Sequence, residues 1–272
     1  MNTRIKMVRR IIAWMVTLTV LLGTAADSFV VSAAAPAGAG AKEGWRIEKQ
    51  RVYYYSNGKK LSGFKELNGK YYYFDKTGVQ HTGWQKMRGD YYFFRIENGE
   101  KGYMVTSKKV NGVTLQYNGK AKKTKKNIEK LKTMLKANKF LEKATKPTMK
   151  KYDKLKSCFQ YSIENFKYRG SPRFVRSKNW ENKYALDMFD KGHGNCYAYG
   201  AAFAFLANAA GYTDVYAISS GGHGWAEVKG KVFDPSWEIV DKKHHYFNMS
   251  YKLSGKDGRP NYKKHRRYAK KI

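Results

Sequence analysis

The sequence predicts two modules, an array of short β-hairpins followed by an α+β domain, and three observations carry that reading. Gly-aromatic pairs recur in the N-terminal part of the chain at intervals of about twenty residues, the mark of stacked repeats. Helix-spaced apolar residues then run through lysine-rich sequence and through an alanine-rich stretch opened by Gly194-Asn195-Cys196. Finally, the alternating segment from His223 to Val228 is followed by Lys229-Gly230 and a second extended run, the pattern of a hairpin.

The repeats open at Gly44-Trp45, Gly63-Phe64 and Gly83-Trp84. Between them fall the triplets Tyr53-Tyr54-Tyr55, Tyr71-Tyr72-Tyr73 and Tyr91-Tyr92-Phe93, punctuated by Asn57-Gly58, Asn68-Gly69 and Thr77-Gly78. Asn-Gly supplies the left-handed pair that a tight hairpin turn needs, and a fixed period means stacked units, so residues 44–119 read as a small hairpin solenoid with a degraded end. A single hairpin cannot bury an apolar face, so many of these rings pack on the next unit. Trp45, Tyr54, Phe64, Tyr72, Trp84 and Tyr92 are the candidates for touching a ligand.

Residues 120–272 form the second module. From Thr124 to Lys146, Ile128, Leu131, Met134, Leu135 and Leu141 keep helical spacing, giving one packed and one cationic side. A second amphipathic helix, around LKSCFQYSIENF, places Cys158 in the core. Asn195 then reads as an N-cap and Gly211 as a C-terminal stop, with Gly200 interrupting the helix between them. Cys196 would sit in the first turn, where unpaired N–H groups and the helix dipole favour a thiolate.

A two-residue loop at Lys229-Gly230 pairs Val228 with Lys231, sets Trp225 opposite Asp234 and sets His223 opposite Ser236. His223 and Asp234 then share a face as diagonal neighbours, roughly 7–8 Å apart at the backbone. A one-residue slip would separate them. Taken singly, Cys196 reads as a small buried hydrophobe, His223 as a loop residue and Asp234 as a turn former. Together they form a thiol nucleophile, its base and the group that orients the base.

The pieces GNCYAYGAAFAFLANAAGY, GHGWAEV and FDPSW resemble the transglutaminase-like superfamily of papain-type fold, and the likeness extends from about Thr124 to the C-terminus. It implies a papain-like catalytic domain in which Cys196 is the nucleophile, His223 the general base and acid, and Asp234 its orienting partner. The Cys196 N–H would supply part of an oxyanion hole, with no side-chain partner identified. The hairpin segment, from about Gly44 to Phe94, is similar to the cell-wall-binding repeats of Gram-positive surface proteins, choline- and glucan-binding modules among them. That likeness implies an attachment module for choline, held by cation–π attraction, or for wall carbohydrate stacked on the aromatic faces.

The implied chemistry is attack of Cys196 on an amide or ester carbonyl to give a thioester. Water as acceptor makes a peptidase or amidase, and a lysine amine makes a transglutaminase. The substrate would be a peptide or protein. No acidic cluster has calcium-ligand spacing and no His/Cys set has zinc spacing, so neither metal nor other cofactor is expected.

Arg4, Lys6, Arg9 and Arg10, the apolar run Ile11 to Gly23 and the small residues from Ser32 to Ala35 read as a cleaved export signal over residues 1–34. The run is shorter than the roughly 20 residues of a membrane span, so no stable insertion is expected after cleavage. The expected location is the cell wall or surface. The formal net charge is +33. Inside a cell such an excess suggests nucleic acid; in an exported chain teichoic acid or another acidic wall polymer is the expected partner, and nucleic acid is not. The alternative function is a surface adhesin or scaffold that only binds, its second domain without activity.

Overall fold

Each Gly-aromatic pair opens a β-hairpin in the computed structural model, which describes residues 42–171, 173–263 and 268–272. The signal-like segment, residues 1–34, lies outside them. Strand β1 (Gly44–Glu48) pairs with β2 (Arg51–Ser56), to which β3 (Lys59–Lys60) is added. In the second unit β4 (Gly63–Leu67) pairs with β5 (Lys70–Phe74) and β5 with β6 (Gln80–His81). The third unit is β7 (Gly83–Met87) with β8 (Asp90–Phe94). Each register sets the opening aromatic opposite another aromatic: Trp45 faces Tyr54, Phe64 faces Tyr73 and Trp84 faces Phe93.

Asn68-Gly69 makes the tight reversal of the second hairpin, with both residues at positive φ. The equivalent reversals elsewhere are Lys49-Gln50 and Arg88-Gly89, also left-handed. Asn57-Gly58 is likewise a two-residue left-handed reversal, joining β2 to β3, and Thr77-Gly78 lies in the longer turn that joins β5 to β6. Lys49-Gln50 carries no turn signature, so the register there is held by its cross-strand aromatic pair.

Successive hairpins meet through their rings. Trp45 contacts Tyr72 and Phe74 of the next unit at centroid distances of 5.1 and 5.9 Å. Phe64 repeats the pattern one unit on, with Tyr92 at 6.0 Å and Phe94 at 6.2 Å. Beyond β8 come the short strands β9 (Lys109–Val110) and β10 (Val113–Thr114), and helix α1 (Lys125–Ala144) covers Trp84 in place of another such unit. Asn138 on α1 donates to the carbonyl of Trp84 at 2.9 Å. His81 bridges Asp75 of the array and Glu142 of α1. The array therefore ends inside the core of the second module.

That module follows as helix α2 (Lys151–Asn165), β11 (Lys167–Tyr168), α3 (Trp180–Lys191), β12 (His193–Gly194) and α4 (Cys196–Ala209). Next come β13 (Val215–Ser219), β14 (Gly224–Val228), β15 (Lys231–Phe233), α5 (Pro235–Val240), β16 (Met249–Ser250) and β17 (Tyr268–Lys271). The last five strands form one antiparallel sheet in the order β16-β15-β14-β13-β17. Every residue of α4 is buried, which explains its nearly continuous apolar sequence. Burying Phe203, Phe205 and Leu206 there contributes about 1.5–3 kcal/mol per side chain.

Helix α4 lies on β14 at a distance that only glycine permits. A Cβ on Gly200 would stand 2.6 Å from the Trp225 Cα, and one on Gly224 would stand 2.7 Å from the Tyr197 Cα. This pair of close approaches sets the separation between the helix that begins at Cys196 and the strand preceded by His223. Among the described residues no helix is long and apolar enough to cross a membrane.

Candidate active site

The chain enters α4 through β12, which pairs in parallel with β11. Asn195 caps the helix, its Oδ1 accepting from the Ala198 N–H at 3.3 Å, and Cys196 is the first helical residue. Gly192 ends α3 in the left-handed conformation, so the turn into the helix needs only a few residues. Cys158, on α2, is fully buried, and its burial pushes that thiol up to about 12. Both cysteines are free.

The hairpin register is the one the sequence predicts, with Val228 opposite Lys231 and Ala226 opposite Phe233. The extended run is shorter than expected at both ends. His223 lies in the loop before β14, where its backbone N–H donates to Ser220 Oγ at 2.8 Å. Asp234 is the N-cap of α5 instead of a strand residue, because Pro235 at the first helical position favours a helix start. Ser236 accordingly does not pair with His223; its hydroxyl and N–H both donate to Asp234 Oδ1, at 2.7 and 3.1 Å.

Asp234 is completely buried and fully partnered. Besides Ser236, the Trp237 N–H donates to Oδ1, while Oδ2 meets His223 Nε2 at 2.5 Å and accepts from the Tyr262 hydroxyl at 2.8 Å. Burial raises the cost of the carboxylate, yet the His223 charge and these donors outweigh it and hold Asp234 below its ordinary range. With Nε2 engaged, Nδ1 is the nitrogen left to His223, and the Cys196 side chain lies within hydrogen-bonding reach of the imidazole. The ring is flanked by Trp225, Trp237 and Tyr262, with centroids 6.1 to 6.2 Å away.

Burial disfavours the imidazolium, but the charge and hydrogen bond of Asp234, reinforced by Cys196, push the His223 pKa up to about 10. A raised pKa means that folding favours the protonated form, so this contribution is full below the ordinary value of 6.5 and is lost as pH rises toward about 10. The difference in Tm between the protein and a His223→Ala variant is expected to shrink steadily from about pH 7 to pH 10. Calorimetry across that window checks it, and a constant difference contradicts it.

One residue of this cluster escaped the sequence reading. Tyr262 lies far from Asp234 in sequence and in no recognisable spacing with it. His193 sits in β12, half-buried, and takes no part in the Asp234 network. Among the described residues no group of His, Cys, Asp or Glu could hold a metal ion.

The aromatic candidates divide by position. Tyr72 and Trp84 are enclosed, with the Tyr72 hydroxyl donating to Glu100 O and Trp84 Nε1 donating to Asn111, so both rings serve packing. Trp45 and Tyr54 pack edge to face and are partly exposed. Phe64 and Tyr92 line a cleft of about 680 Å³ between the second and third hairpins, together with Tyr73, Met87, Lys86 and Arg88.

Comparison with known proteins follows the same division. Residues 61–108 match the family model of the choline-binding repeat, and residues 138–242 match that of the transglutaminase-like superfamily. No curated protein matches the chain. Among solved structures it is similar to the choline binding domain of Spr1274 in Streptococcus pneumoniae, at 22% identity over 31% of this chain and 100% of that one, with a TM-score of 0.28. It is also similar to choline binding protein F from Streptococcus pneumoniae in the presence of a peptidoglycan analogue, at 24% identity over 30% of this chain and 34% of that one, TM-score 0.21. A third is the multimodular pneumococcal cell wall endolysin from phage Cp-1 complexed with choline, at 21% identity over 29% of this chain and 24% of that one, TM-score 0.25. The chain thus spans all of the first of these but only 34% and 24% of the other two.

Proposed function

We propose that this chain, a choline-binding repeat array joined to a transglutaminase-like domain, is an exported, wall-attached cysteine enzyme that acts on amide bonds through Cys196, His223 and Asp234. The observation that carries the reading is the buried, fully partnered Asp234 on His223 Nε2, which leaves the opposite ring nitrogen for the thiol at a helix start. On this reading residues 1–34 direct export, residues 44–119 form a short hairpin solenoid for attachment, and residues 120–272 are a papain-like catalytic domain.

His223 takes the Cys196 proton through Nδ1 and keeps it as an imidazolium at neutral pH. The sulfur attacks the substrate carbonyl, the carbon–sulfur bond forms, and the carbonyl π pair moves onto oxygen. Collapse of this intermediate expels the amine, which takes the proton from His223 and leaves a thioester on Cys196. Water or an incoming amine then resolves the thioester, giving peptidase or acyl-transfer activity on a peptide or protein. Asp234 keeps the ring oriented and stabilises its charge throughout.

Attachment is assigned to the cleft of Phe64, Tyr73 and Tyr92. Flat ring faces suit sugar rings or a quaternary ammonium. Lys86 and Arg88 on the same cleft favour a ligand that also carries negative charge, as an acidic wall polymer does. The test has two arms. The enzyme incubated with p-nitrophenyl acetate should acquire a hydroxylamine-labile acetyl group on Cys196, and Cys196→Ala should not. In co-sedimentation with purified cell walls, Phe64→Ala combined with Tyr92→Ala should reduce bound protein about tenfold or more, as loss of two stacked rings implies. Wall binding without an acetyl adduct would leave a binding scaffold.

A further inference from the structure

The antiparallel sheet ends at β17, an edge strand in which Tyr268 pairs with Ser219 and Lys270 with Ala217. The segment that leads into α3 packs against this strand. Phe174 touches both Trp180 and Tyr268, with centroids 5.2 and 5.4 Å away, and the Arg176 guanidinium lies over the Tyr268 ring at 4.9 Å. Arg176, Lys178, Trp180, Tyr268 and Lys270 line a cleft of about 540 Å³ at this junction. Three cations therefore share one cleft, and among the described residues no carboxylate lines it.

Trp180 adds a buried donor to that wall. It is the first residue of α3 and only 1% exposed, yet its Nε1 has no hydrogen-bond partner among the described residues. The other buried tryptophans are satisfied, Trp84 Nε1 donating to Asn111 at 3.0 Å and Trp225 Nε1 to Tyr251 at 3.1 Å. A buried donor left unpaired costs free energy that an incoming acceptor recovers. Asn179, the N-cap of α3, caps no N–H with its side chain, whose amide donates to Glu129 at 3.2 Å instead. The positive end of the helix dipole thus adds to the three cations. Glu181 is the nearest carboxyl in sequence. Its Oε1 accepts from Asn182 Nδ2 at 2.8 Å, and burial pushes it up toward the neutral form against the pull of Lys270, so it opposes an anion less than a free carboxylate would.

We propose that this cleft is a phosphate-binding subsite on the second module, in which Arg176, Lys178 and Lys270 pair with the phosphate oxygens and the Trp180 indole N–H donates to one of them. Guanidinium, ammonium and indole groups are all donors, so the ligand must supply only acceptors and negative charge. A phosphate presents more acceptor oxygens than a carboxylate and matches a cleft in which several cations converge. The cleft is larger than one phosphate requires, which leaves room for the molecule that carries it. The site is separate from the aromatic cleft of Phe64 and Tyr92, and its occupancy needs no acyl chemistry at Cys196.

The test follows the Trp180 indole N–H signal in proton–nitrogen correlation spectra of the full chain at pH 7 and constant ionic strength, the signal being identified by its loss in Trp180→Phe. Inorganic phosphate is expected to move this signal saturably, and acetate to bind at least about fivefold more weakly. Arg176→Gln combined with Lys270→Gln should weaken phosphate binding about tenfold or more, as removal of two charge-assisted contacts implies. Isothermal calorimetry of the parent and the double variant reads the same affinities without the signal assignment, which covers a Trp180→Phe chain that does not fold. Dimethyl phosphate separates two sources of the group. Binding within about threefold of inorganic phosphate supports a site for a diester-linked chain, and much weaker binding supports one for a monoester or the free ion. A Trp180 signal that phosphate leaves in place, equal responses to phosphate and acetate, or an unchanged affinity in the double variant would overturn the assignment.

Discussion

Asp234→Asn is expected to lower the rate of Cys196 acylation by about 10³–10⁴-fold while leaving the fold in place. The direction of the effect follows from the partners of the two carboxylate oxygens. Oδ1 accepts from the Ser236 N–H, the Ser236 hydroxyl and the Trp237 N–H, so the oxygen of an asparagine amide must take that side. The amide nitrogen then replaces Oδ2 and presents donors to His223 Nε2 and to the Tyr262 hydroxyl, where an acceptor stood before. His223 answers by accepting at Nε2 and carrying its proton on Nδ1. That tautomer cannot take a proton from the thiol. Stopped-flow acylation by p-nitrophenyl acetate measures the loss, with a melting curve to show that the variant is folded; a rate within tenfold of the parent contradicts the account.

Gly200→Ala is expected to destabilise the protein by about 1–3 kcal/mol, and to reduce activity beyond what the loss of folded protein explains. The new methyl would stand 2.6 Å from the Trp225 Cα and 2.7 Å from its carbonyl carbon and nitrogen, so backbone must move. The strand that moves is β14, which follows directly on His223, and the helix that moves starts at Cys196. A shift of about 1 Å between nucleophile and base costs roughly 10²-fold in rate. Calorimetry gives the stability change and acylation of the folded fraction gives the activity. An unchanged melting temperature would show that the helix and strand separate without cost.

The sequence announced those parts of the molecule whose signals are local. The hairpin period, the N-cap at Asn195, the helix after Thr124 and the register across Lys229-Gly230 all rest on residues within a few positions of each other. Elements set by tertiary packing left weaker traces. Lys49-Gln50 adopts a left-handed turn without a glycine because the facing aromatic strands demand it. The second strand ends at Phe233, three residues before the expected Ser236, since Pro235 starts a helix capped by Asp234. Trp84 looks like its repeat counterparts Trp45 and Phe64, yet it is enclosed because α1 packs where another hairpin would expose a groove.

The chemistry was legible to the same degree. Cys196, His223 and Asp234 each follow or precede a residue with a strong local meaning, respectively an N-cap, a glycine loop and a proline. Tyr262 has no such neighbour, and it reaches the cluster through a contact between distant segments. A tyrosine-rich chain offers many equivalent candidates, so only the placement of Tyr262 on Asp234 singles it out.

The most direct test of the central claim, that His223 activates Cys196, is the rate of iodoacetamide labelling at each thiol, read by peptide mass spectrometry at pH 7 in the parent, Cys196→Ala and His223→Ala proteins. Cys158 is fully buried with its thiol pushed up to about 12, so it should remain unlabelled in all three and serve as the internal reference. The account predicts labelling of Cys196 in the parent that falls about tenfold or more when His223 is removed, as expected for a sulfur that loses its imidazolium partner. Cys196 labelling that is unchanged without His223, or as slow as that of Cys158, would contradict it.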